Sequence, residues 1–141
     1  MKRLLVLFLV VLALGITACS AGGGASGPQE VTITASDIAF DTERVEVAAG
    51  REVVLTLRNE GALEHDFSVM HIPAHIAEPV EEDGHDMSHM EEMPELHVSA
   101  MPGESHSVTF TPSEAGEYVY FCTVEGHEAA GMTGTLVVTA E

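Results

Sequence analysis

From residue 31 onward, apolar side chains recur at alternate positions in short runs, the period of a strand with one buried face. Residues 31–34, 45–47, 52–58, 65–70, 105–110, 117–121 and 134–139 carry this pattern. Turn-forming residues separate the runs: Gly50, Asn59 with Gly61, Pro102 with Gly103, and Gly116. No stretch beyond residue 30 sustains a helical period. Seven or eight short strands in about 110 residues predict an all-β sandwich or small barrel, and they exclude a helical bundle. Phe40, Phe67, Phe110, Tyr118, Tyr120 and Phe121 fall where a sandwich needs core or face packing.

One segment breaks the alternation. Residues 71–103 contain Pro73, Pro79 and Pro94, many acids, and His75, His85, His89 and His97 interleaved with Met87, Met90, Met93 and Met101. With no regular apolar face, the segment is expected to be a long exposed loop inserted between two strands. Its centre, with His85, Met87, His89, Met90 and Met93, is either a secondary, weaker metal site or a solvated acidic loop without fixed geometry. His71, His75, His97 and His106 are expected at the surface.

The other departure is at the start. Lys2 and Arg3 precede an apolar run over residues 4–14, too short to cross a bilayer as a helix and typical of an export signal. Ile16, Thr17, Ala18 and Cys19 resemble the lipobox of bacterial lipoproteins, in which the cysteine becomes the lipidated first residue; an ordinary signal peptide is the alternative. The expected organisation is a signal over residues 1–18, lipidated Cys19 with a Gly/Ser/Ala tether over 19–29, and one domain over 30–141. The implied location is outside the cytoplasm, on a bacterial membrane.

Charge narrows the partners. The formal net charge is −18, and Lys2 and Arg3 supply two of only five basic side chains against 23 acidic ones. Nucleic acid, which needs clustered Lys and Arg, is not an expected partner; metal cations or a basic protein surface are.

The chain holds two cysteines. With Cys19 acylated, Cys122 is left as a lone thiol in an oxidising setting, a liability unless it is buried or bound. It stands in a spacing of Cys122-x4-His127-x4-Met132, between a strand and a glycine-punctuated loop. His65, at the start of an earlier strand, is the natural fourth donor. Thiolate and thioether suit Cu(I), imidazole serves either oxidation state, and copper heads the divalent affinity order. Met132 reads either as a weak axial ligand or as core filler.

At these residues the chain resembles the cupredoxin family of blue copper proteins. Asn59-x-Gly61-x3-His65-Asp66-Phe67 is similar to the family's first-ligand segment. Tyr118-x-Tyr120-Phe121-Cys122-x4-His127-x3-Gly131-Met132-x-Gly134 is similar to its ligand loop, with a spacing like that of auracyanins and rusticyanins. The resemblance implies a Greek-key β-sandwich, one copper ion held by His65, Cys122, His127 and Met132, and single-electron transfer. A cytochrome or oxidase with a basic docking patch would be the redox partner. Asp66 departs from the asparagine common at its position, and it is expected to hydrogen-bond toward Thr123. The Met/His-rich segment keeps open a second role, as an extracytoplasmic copper chaperone or a copper acquisition or storage protein. No His-x-His pair, binuclear copper motif or Ser/His/Asp set points to an enzyme.

Overall fold

The computed structural model describes residues 27–77 and 90–140. The export signal, Cys19, most of the tether, and His85, Met87 and His89 lie outside the described residues. Among those described, all regular structure is β: β1 (Gln29–Ser36), β2 (Ala39–Phe40), β3 (Arg44–Ala48), β4 (Val53–Asn59), β5 (His65–Val69), β6 (Ala74–Ile76), β7 (Leu96–Ala100), β8 (Ser105–Pro112), β9 (Gly116–Phe121) and β10 (Thr133–Thr139).

The strands form two five-stranded sheets, ordered β2-β1-β4-β8-β6 and β3-β10-β9-β5-β7. Only β1 with β2 and β9 with β10 are both consecutive and adjacent; most other connections cross between the layers, as in a Greek-key sandwich. β1 with β4 and β10 with β3 are parallel pairs, so each closes a long crossover and not a hairpin.

Alternation places the core. Val53, Leu55 and Leu57 of β4 and Val45 and Val47 of β3 face inward, where they are buried. Tyr120 is fully buried between two rings, its centroid 5.3 Å from Phe40 and 4.7 Å from Phe67. Each such side chain taken from water contributes roughly 1.5–3 kcal/mol. β5 is the exception to alternation, buried at all five positions. Both of its faces are therefore covered, and it carries one of the candidate ligands.

The segment over residues 71–103 differs from the loop expected of it. β6 pairs with β8 at the edge of one sheet, and β7 pairs antiparallel with β5 at the edge of the other. Leu96, Val98 and Ala100 are buried. These three do alternate, but the acids and prolines before them dilute the signal in any longer window. Together with the two-residue β2, these edge strands raise the count to ten.

Candidate metal centre

His65 is the first residue of β5, and the loop leading to it is fixed by a buried amide. Asn59 Nδ2 donates to the carbonyls of Leu63 at 2.7 Å and Ala100 at 2.8 Å, while its Oδ1 accepts from Gly61 N at 2.8 Å. Gly61 is needed because any Cβ there would lie 3.0 Å from both His65 Nε2 and Asp37 N. The Asn59-x-Gly61 pattern is thus a latch that sets the imidazole.

The second segment leaves β9 at Phe121 and folds into a tight loop. Cys122 N donates to Met132 O at 3.2 Å, and Met132 N to His127 O at 3.0 Å. His127 N donates to Val124 O at 3.0 Å, and Gly131, at φ 97°, makes a reversal that a side chain would oppose. This backbone net gathers Cys122, His127 and Met132, all buried, at one end of the sandwich.

Across the layers the two segments meet. Cys122 Sγ lies 3.4 Å from His127 Nδ1 and 4.0 Å from His65 Nδ1, and the imidazole centroids are 5.0 Å apart. The donor atoms of the three residues all lie within 4.8 Å of one another, the single cluster of this kind among the described residues. An ion bonded at about 2.0–2.3 Å to nitrogen and sulfur spans such separations.

Electrostatics agree with a metal. Burial, then the neighbouring His127, pushes the His65 imidazole below its ordinary range, so the neutral ring offers a lone pair. Its Nδ1 faces the Cys122 sulfur, while Nε2 lies on the Gly61 side of the ring. Burial, then the charge of Asp66, pushes the Cys122 thiol up to about 12. A thiolate here therefore needs a cation to displace its proton. A soft sulfur beside two imidazoles, with a methionine held alongside, fits copper.

Asp66 sits where its sequence position implied. It is fully buried and accepts Thr123 N at 2.9 Å on each oxygen and Thr123 Oγ1 at 2.8 Å. Of the Met/His set, Met90 lines an open cavity with Cys122, Thr123, Gly126 and Glu128, whereas Met93 is exposed. His71 and His75 are exposed as expected, but His97 and His106 are half-buried and bonded. The structure adds Asn59, Ser68 and His97 to the surroundings of the site. Their role depends on contacts across strands, and only the Asn59-x-Gly61 spacing hinted at it.

Comparison with known proteins points the same way. The model of copper binding proteins of the plastocyanin/azurin family matches residues 28–139. Auracyanin-A of Chloroflexus aurantiacus is 29% identical, with 98% of this chain and 97% of that protein covered. The copper-resistant cuproprotein CopI of Pseudomonas aeruginosa is 26% identical, over 81% of this chain and 78% of its own. A solved structure of auracyanin B superposes with a TM-score of 0.61 at 26% identity, covering 81% of this chain and 91% of that one.

Proposed function

This chain belongs to the plastocyanin/azurin family of copper binding proteins, and from that membership we propose that it carries single electrons at the outer face of a membrane. Copper supplies the one-electron couple; the protein supplies everything else. His65, Cys122 and His127 hold the ion, with Met132 as the weak fourth donor. The observation that carries the reading is the convergence of one thiol and two imidazoles from two segments in a buried pocket. Packing on both faces of β5 and the latch at Asn59 fix these donors, so little rearranges when the charge of the ion changes.

The site also has an outlet. His127 is 5% exposed and is ringed by the small, exposed Gly126, Ala129, Ala130 and Gly131, which let a partner approach closely. Exposed Glu125 and Glu128 add charge at this rim. The partner is a redox protein with a basic patch, such as a cytochrome or oxidase. Its encounter rate falls as salt screens the attraction, because the Debye length shrinks from about 10 Å at 0.1 M to about 3 Å at 1 M. Attachment to the membrane is through lipidated Cys19.

An optical and spin-resonance spectrum of the copper-loaded protein tests the proposal. The expected result is an intense visible thiolate-to-copper band that bleaches reversibly on reduction. A colourless, redox-silent adduct overturns it.

A second reading, copper acquisition or delivery, is favoured by the similarity to CopI and by Met90 beside Cys122. Deleting residues 84–93 separates the two. A carrier keeps its redox kinetics, while a copper-handling protein loses metal stoichiometry or transfer.

A further inference from the structure

Before the centre can work, copper has to reach donors that water does not. His65, Cys122 and Met132 are fully buried, and His127 is nearly so. Beside the ligand loop, however, an open cavity of about 220 Å³ has Cys122 in its wall. Gly126 and Ala129 line it with little bulk, and the exposed carboxylates of Glu125 and Glu128 stand around it. Among the described residues, Met90 is the one lining residue that comes from outside residues 121–129. It is half-buried there, whereas Met93, three residues on, is exposed.

The chemistry of this lining suits an arriving ion. Glu125 and Glu128, in a chain of net charge −18, raise the local concentration of cations. A thioether is a soft, neutral donor that selects Cu(I), and it has no proton to lose when it binds. Three rotatable bonds let the sulfur of a methionine swing between partners. Soft ions pass between proteins by exchange of donors, each new bond forming as an old one breaks. A buried thiol is therefore served by a soft donor that stands nearer to solvent. The outlet at His127 offers no such donor, because an imidazole serves either oxidation state.

We propose that this cavity is the loading port of the copper centre for Cu(I), with Met90 as the transient thioether that takes the ion from its carrier and passes it to Cys122. The carrier is a molecule that holds Cu(I) through soft donors. Met90 Sδ bonds to the ion as one donor of the carrier leaves; Cys122 Sγ then displaces Met90, and the thiol proton passes to solvent. The ion stays Cu(I) throughout, so the step needs no oxidant or reductant. The proposal rests on the copper reading above, and it holds whether the loaded protein carries electrons or hands the metal on.

Uptake kinetics of the copper-free protein test it. Cu(I) is supplied without oxygen as its bicinchoninate complex, and transfer is followed by the loss of that complex's colour. Met90→Leu, which nearly conserves volume, is expected to slow transfer roughly tenfold. With Cu(II) supplied as its glycine complex and followed by the growth of the blue band, the same variant is expected to stay within about twofold of the native rate. Met90→His, which restores a donor for either ion, is expected to return Cu(I) transfer to within about threefold and to speed Cu(II) uptake. After loading and oxidation, all three proteins are expected to give the same blue spectrum, which shows intact folding and a finished centre that excludes Met90. Unchanged Cu(I) rates in Met90→Leu overturn the proposal. Equal slowing for both ions overturns it too, because Met90 would then be packing, and so does a His variant no faster than the Leu variant. A native protein that gives no blue spectrum from either source brings down the copper reading itself; normal loading at rates indifferent to Met90 brings down the port alone.

Discussion

The Cys122 thiol links burial to stability in a way that pH exposes. Burial first, and the charge of Asp66 second, push it from an ordinary 9.0 up to about 12. Below pH 9 the thiol is protonated in the folded and unfolded chains alike. Between 9 and 12 the unfolded chain releases this proton while the folded one keeps it. The folded state then binds more protons, and its stability falls as pH rises. About three pH units at about 1.36 kcal/mol each make a contribution of about 4 kcal/mol, fully present below pH 9 and lost by pH 12. Urea unfolding of the metal-free protein from pH 7.5 to 10.5, beside Cys122→Ala, measures it. The native chain is expected to lose roughly 2 kcal/mol more than the variant by pH 10.5, on the order of 1.4 kcal/mol per unit above 9. Tyr120, also raised to about 12 by burial, is present in both chains and cancels. Two parallel profiles would refute the reasoning, because they would mean that the sulfur is solvated or already ionised.

The same proton governs metal uptake. Copper affinity measured against a competing chelator is expected to rise about tenfold per pH unit between 6.5 and 8.5, since one thiol proton leaves for each ion bound; a flat profile would rule out thiolate ligation. Gly134→Ala addresses the core: its Cβ would lie 2.1 Å from Tyr120 Cζ, and Phe40 and Phe67 leave that ring no retreat. A loss of about 3 kcal/mol, at the upper end for overpacking, is expected in urea unfolding, and a change under 1 kcal/mol would show that the ring can move.

The sequence by itself determined the period-two strands, the sandwich they imply, and the grouping of His65, Cys122 and His127. These are legible because strand alternation is local, and because Cys122, His127 and Met132 lie within one short loop. His65 was reachable only through its position at a strand start and the resemblance it completed. Tertiary structure decided the rest. That Asp66 meets Thr123, 57 residues away, and that Ser68 meets His97, 29 residues away, follows from the register of β5 against its neighbours. A slip of one residue would turn every one of these side chains to the opposite face. His97 looked like a surface histidine because the segment before it is rich in acids and prolines, yet pairing of β7 with β5 draws it half inside. Composition describes what stands next to a residue along the chain; hydrogen bonding and burial depend on what the folded sheets bring across.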